Sequence, residues 1–177
     1  MRPPSRLLRR ALGCTAIAIG LCPACAASSE GQALFGTNLG FGPDADRFGA
    51  HLERGVIDRA SRTGHRWTFA VEMGLSKWTT SKDGRKSAWQ ASAVPFVRLW
   101  RGRFYGEFGI GASVFSVRSV GTQELGSSFQ FCDHLGAGYE WSGTQRLGIR
   151  LSHFSNARIA SPNDGLDLIQ IVYTRAL

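Results

Sequence analysis

A chain of 177 residues with a formal charge of +8 is long enough for one domain with its own core. Half of that charge sits in the first 26 residues: removing Arg2, Arg6, Arg9 and Arg10, with no acid among them, lowers it to +4. So modest an excess is no argument for nucleic acid as a partner.

The first predicted element is residues 1–26. A basic start leads into an apolar run from Ala11 to Leu21, then into Ala24-Cys25-Ala26, an A-x-A cleavage pattern. This predicts a secretory signal peptide cut after Ala26, its apolar run too short for a membrane helix. Cys14, Cys22 and Cys25 leave with it, so Cys132 stays alone and no intramolecular disulfide is expected. Cys25 is also where a lipoprotein anchor would attach, but Cys22 stands where such signals usually carry leucine. The expected destination is a Gram-negative envelope, and the expected domain is 27–177.

Beyond the signal no apolar run approaches the ~20 residues of a membrane helix. Period-2 alternation appears instead. It predicts eight strands, at about 33–41, 47–54, 65–78, 88–99, 103–117, 127–141, 145–155 and 166–176. In RWTFAVEMGL, Trp67, Phe69, Val71, Met73 and Leu75 oppose Arg66, Thr68 and Glu72. In WQASAVPFVRL, Trp89, Ala91, Ala93, Val97 and Leu99 oppose Gln90, Ser92 and Arg98. In FYGEFGIGASV, Phe104, Phe108, Ile110, Ala112 and Val114 oppose Tyr105, Glu107 and Ser113. In SFQFCDHLGAGYEW, Phe129, Phe131, Leu135, Ala137, Tyr139 and Trp141 oppose Gln130, Cys132, His134 and Glu140.

The apolar faces are expected to hold charge only near strand ends. The other faces carry Arg66, Glu72, Arg98, Glu107, Glu140 and Arg150 in mid-strand. A soluble barrel or sandwich would bury the apolar face; a membrane barrel turns it outward and keeps the polar face inside. Strand length and the lack of disulfides favour an eight-stranded antiparallel transmembrane β-barrel. Eight strands return both termini to one side. The turns WRG and SGT then fall on the periplasmic side, with TTSKDGRK, RSVGTQEL and NARIASPNDG outside. Segment 55–64 breaks this pattern as a ten-residue periplasmic connection. Trp100 and Trp141 are expected at the inner aromatic belt.

Along the seventh strand Leu147, Ile149, Leu151, His153 and Ser155 share the lipid-facing side. On the eighth, Asp167, Ile169, Ile171 and Tyr173 do the same. Antiparallel return puts Asp167 beside His153. A serine nucleophile, a histidine base and an orienting carboxylate make up a hydrolase triad. Asn156 or the N–H groups of the 156–160 turn are available for an oxyanion. Spacing alone leaves a bland alternative open, polar punctuation at a membrane interface, because H-x-S is a weak motif. Asp164 is a fallback acid in an N-D-G turn. His51 and His134 fall on lumen faces, which gives no support to a metal cluster.

At this point HFSNARIASPNDGLD, with VPFVRL, EFGIGASVFS and SSFQFCDHLGAGYE upstream, resembles the outer-membrane lipid A 3-O-deacylases, the PagL-like family. The resemblance runs from about Arg47 to the end. It implies hydrolysis of the ester-linked 3-hydroxyacyl chain at the 3-position of lipid A, without metal or other cofactor. It implies lipopolysaccharide as substrate and outer-membrane lipids as surroundings, and leaves a homodimer open. By position it implies His153 as catalytic histidine, Ser155 as nucleophile and Asp167 as acid, with Asn156 and Asn163 matching asparagines of the motif. Two residues depart from the pattern. Asp167 stands for a glutamate, and Arg158 for a glycine whose N–H is suspected of serving the oxyanion. A non-glycine is expected to restrict that backbone, while its charge suits a lipid A phosphate. The competing functions are a structural or adhesive barrel and another lipid enzyme, a phospholipase or palmitoyltransferase.

Overall fold

The computed structural model describes residues 30–80 and 87–177. The expected signal peptide and most of the TTSKDGRK segment lie outside the described residues. The described residues form ten strands: β1 (Ala33–Phe41), β2 (Asp46–Ala60), β3 (His65–Thr79), β4 (Ala88–Arg101), β5 (Phe104–Phe115), β6 (Ser119–Val120), β7 (Gln123–Glu124), β8 (Phe129–Glu140), β9 (Gln145–Ser155) and β10 (Leu166–Ala176). Eight of them close an antiparallel barrel in which β1 pairs with both β2 and β10. β6 and β7 form a separate hairpin within a connection expected as plain loop.

The barrel is inside-out relative to a soluble one. Its outer wall exposes large apolar side chains, among them Leu99 at 66% and Met73 at 65%. Its lumen buries Glu53, Glu72, Arg98, Glu107 and Arg150. Such a wall is stable only against hydrocarbon, and closure leaves no strand edge there to satisfy.

The lumen has two halves. Towards the short-turn end, carboxylates and guanidiniums alternate. Glu53 accepts from Arg98 (2.7 and 2.9 Å) and from Arg146 (2.8 Å). Glu107 accepts from Arg98 (2.8 Å) and Arg150 (2.9 Å), and Glu72 from Arg150 (3.1 and 3.2 Å). Of the six mid-strand charges expected there, four join this chain. Arg66 instead pairs with Asp58 (2.6 Å), and Glu140 ends β8. Towards the long-loop end the lumen is a plug of Trp78, Phe96, Phe115, Leu125, Phe154 and neighbours.

Three expectations are corrected. Segment 55–64 is not a ten-residue connection: β2 runs on to Ala60, and the turn is 61–64. A bulge between Gly55 and Ile57 breaks the alternation that would have announced those residues. Trp100 is not in an aromatic belt but in the lumen, 5% exposed, donating Nε1–H to Thr68 Oγ1 (3.0 Å). Trp67, Phe104, Trp141 and Phe35 are exposed aromatics near that end. The outer wall also holds a charge within a strand: Asp133, fifth of the twelve residues of β8.

Candidate active site

β9 and β10 carry the expected residues. Their register pairs Asp167 with His153, and Leu166 and Leu168 with Phe154 and Ser152. Inward residues pin this stretch. Phe154 is 1% exposed, with Trp78 edge-on at 5.2 Å and Phe115 at 6.1 Å. Ser152 Oγ lies 2.6 Å from His134 Nδ1 and accepts from Gln170. With Ser152 and Phe154 fixed inward, alternation turns His153 and Ser155 outward. Leu166 and Leu168, both buried, do the same for Asp167.

On the outer wall His153 Nδ1 is 2.8 Å from Asp167 Oδ1. Because Nδ1 is bound to the carboxylate, Nε2 is the nitrogen left for chemistry. The ring lies against Gly165, where a Cβ would stand 3.2 Å from His153 Cε1, and where φ is +74°. Glycine is needed at that point on both counts. Ser155 is two residues further along β9, beyond the imidazole. Its hydroxyl is not hydrogen-bonded to His153 in this structure. The strand repeat separates their Cα atoms by about 6.6 Å, and catalytic hydrogen bonds often tighten only with substrate in place.

The loop 156–165 sorts the remaining residues. Asn156 was expected as an oxyanion donor; the structure corrects this. Its side chain is fully buried, continuing the inward alternation of Phe154, and Nδ2 donates to the carbonyls of Leu125 (2.7 Å) and Ala160 (2.9 Å). It braces the loop against the β6–β7 connection. Its own N–H donates to Asn163 Oδ1 (2.8 Å), which fixes the Asn163 amide. Asp164 is no acid for His153: its carboxylate accepts from the N–H of Glu124 (2.8 Å). Arg158 takes the left-handed conformation that a glycine would, with φ +64°, next to Ala157 at +52°. The expected restriction is thus overcome, at the cost in strain that such backbone carries for residues with a Cβ.

Beside the pair lies an open groove of about 680 Å3. One cross-strand row lines it: Phe41, Ile169, Leu151, Leu135 and Phe108, each paired with the next. The next row towards the long loops is Asp167, His153 and Asp133, again in register. The row beyond holds Ser155 opposite Phe131. Asp133 was missed from the sequence. Its signal was a lone acid at an outward position between Phe131 and Leu135. Among the described residues no group of three or more His, Cys, Asp or Glu side chains is arranged to hold a metal ion.

A serine, a carboxylate-bound imidazole and an apolar groove thus lie together on the lipid-facing wall. The model of the lipid A 3-O-deacylase (PagL) family matches residues 54–175. The chain belongs to the lipid A 3-O-deacylase family. It is 40% identical over 169 residues to the lipid A deacylase PagL of Bordetella bronchiseptica, covering 88% of this chain and 91% of that one. Against the lipid A deacylase PagL of Pseudomonas aeruginosa the figures are 35% over 111 residues, 61% and 64%. A crystal structure of the outer membrane enzyme PagL superposes with a TM-score of 0.72 at 25% identity, over 81% of this chain and 99% of that one.

Proposed function

We propose that this chain is an outer-membrane hydrolase that removes the ester-linked 3-hydroxyacyl chain at the 3-position of lipid A, using Ser155, His153 and Asp167. Residues 1–26 are its signal peptide in this reading, and the long-loop end of the barrel faces the outside. The observation that carries the mechanism is the His153–Asp167 hydrogen bond on the lipid-facing wall, one row from Ser155.

Lipid A lies in the outer leaflet with its sugars at the interface and its chains in hydrocarbon. The apolar row takes a chain lengthwise and brings its ester level with Ser155. His153 Nε2 accepts the Ser155 proton as Oγ bonds to the carbonyl carbon. The developing oxyanion takes hydrogen bonds from the Arg158 N–H and the Asn163 amide. The intermediate collapses, the C–O bond to the sugar breaks, and the imidazolium protonates the leaving sugar oxygen. Water then attacks the acyl-serine with His153 again as base, releasing the free 3-hydroxy acid. Asp167 holds the imidazole tautomer and balances the imidazolium.

The test is lipid A mass after incubation with the refolded protein in detergent. One 3-hydroxyacyl group should be lost. Ser155→Ala and His153→Ala should each slow this by at least ~10³-fold with the barrel folded. Normal activity in either variant removes that residue from the mechanism. Activity should also persist in excess EDTA; an absolute calcium requirement would point to phospholipase-type chemistry.

A further inference from the structure

We propose that the outer wall of β5, β8 and β9 carries a second lipid site at the short-turn end of the barrel. It holds one anionic glycerophospholipid, with an acyl chain in an apolar groove and the phosphate on Arg101 and Arg103. The leaflet it draws from follows from the barrel orientation proposed above; the site itself does not depend on deacylation.

This groove is separate from the one beside His153. Its volume is about 420 Å3, and Phe104, Ala137, Tyr139, Leu147 and Ile149 line it on the outer wall. Phe104, Tyr139 and Leu147 form one cross-strand row, and Ala137 and Ile149 belong to the next. The rings of Phe104 and Tyr139, 5.0 Å apart, close one side. Ala137 is small between Leu135 and Tyr139, which hollows the wall. Gly138 and Gly148, register partners, line the floor, and Tyr105 packs behind them from the lumen, leaving no room for a Cβ on either.

The occupant is not the chain removed at Ser155. From the Ser155–Phe131 row to the Leu147–Tyr139 row is four rows, about 26 Å along the strands. The chains of one leaflet cover only about 15 Å, half of a ~30 Å core. The groove is therefore filled from the opposite leaflet, the phospholipid side of an outer membrane.

Charge names the headgroup. Arg101 ends β4 and pairs with Phe104. Arg103 lies in the adjoining turn, where its carbonyl accepts the N–H of Glu140 (2.9 Å), the residue after Tyr139. Both arginines are exposed. Among the described residues neither makes a hydrogen bond or ion pair through its side chain, unlike Arg59 with Glu30 and Arg66 with Asp58 at the same end. Glu140 is turned by parity towards the lumen, opposite Arg146. Two free guanidiniums at the mouth of the groove match a phosphate. A zwitterionic headgroup brings its own cation to that place and gains less than a purely anionic one.

The test is lipid bound by the full barrel in detergent, read by native mass spectrometry during titration with phosphatidylglycerol or phosphatidylethanolamine of identical chains. The wild type should bind phosphatidylglycerol at least about tenfold more tightly, and Arg101→Gln and Arg103→Gln should each cut that preference about fivefold, the scale of one arginine at an anionic lipid surface. Ala137→Phe fills the groove and should weaken both lipids alike, with the preference kept. Arg54→Gln removes an exposed cation of β2, three strands from β5, and should change neither. Equal affinity of the wild type for the two lipids overturns the proposal. So does a preference that survives loss of both arginines, an equal effect of Arg54→Gln, or unchanged binding in Ala137→Phe. Detergent exposes both ends of the barrel, so an error in its orientation leaves these results unmoved and is told apart from failure of the site.

Discussion

Glu107 and Asp167 are carboxylates on the two faces of one sheet, and they are treated in opposite ways. Glu107 is buried in the lumen between Arg98 and Arg150, both oxygens bonded. The Asp167 side chain is 73% exposed and has one partner, His153. The His153 side chain is 46% exposed, with Nε2 not engaged. Charges that hold the barrel together are paired with one another, because an unpaired charge in a closed lumen is strongly destabilising. The groups proposed to act on substrate are held from one side only, and their remaining valence points outward. Placement on a strand, with fixed neighbours behind, supplies the rigidity that a loop would not.

The largest effect should come from breaking the exposed side. Asp167→Asn removes the acceptor that fixes the His153 tautomer, and should cost about 10²- to 10⁴-fold in kcat. Barrel stability should not change. Asp167→Glu should retain most activity, since the added methylene reaches the same imidazole from the same register position. If Asp167→Asn is fully active, Ser155 and His153 work as a dyad.

Breaking the buried side should do the reverse. Glu107→Gln leaves Arg98 and Arg150 each short of a partner, and should lower stability by about 3–5 kcal/mol, read by thermal or urea unfolding in detergent. The folded fraction should hydrolyse lipid A at nearly the wild-type rate. A selective loss of activity at unchanged stability would mean that the network tunes the outer wall, and that the two faces are not independent.

Phe154 lies where the two faces meet. Its ring fills the apolar plug while its neighbours on β9 are His153 and Ser155. Phe154→Ala opens a cavity against Trp78 and Phe115, with about 3–5 kcal/mol of stability at stake. It should also slow hydrolysis, because the strand that presents both residues loses its anchor. Unfolding curves and kcat measured on one preparation separate this from Asp167→Asn, which moves only the second.

Strand number and the His153–Asp167 register were legible because each depends on alternation alone, and alternation survives wherever one face meets lipid. What escaped the sequence had lost that signal. The bulge at Gly55–Ile57 shifts parity, so the second half of β2 reads as loop. Trp100 shares parity with Arg98 and belongs inside, but ending the strand at Leu99 concealed it. Asn156 follows Phe154 inward by the same rule, one residue past the end of β9, where a loop was expected to aim it at the substrate. The β6–β7 hairpin is two residues a side, too short to carry a pattern. Asp133 kept its parity and was passed over because its neighbours are so apolar.

The smallest effect sharpens the comparison at a single residue. Arg158 combines both kinds of use in the proposed mechanism: a backbone N–H for the oxyanion and an exposed cation beyond it. Its left-handed φ of +64° would cost glycine nothing. The side chain is therefore kept against strain, and a planar guanidinium suits a phosphate of the substrate. Arg158→Gly preserves the N–H, relieves the strain and removes the charge. It should leave kcat near wild type and raise KM for phosphorylated lipid A by about threefold to tenfold, the scale of one partly exposed ion pair. KM for a dephosphorylated lipid A should not move. Were kcat to fall instead, for both substrates alike, the arginine side chain would be holding the turn in place, and the phosphate would have no part in it.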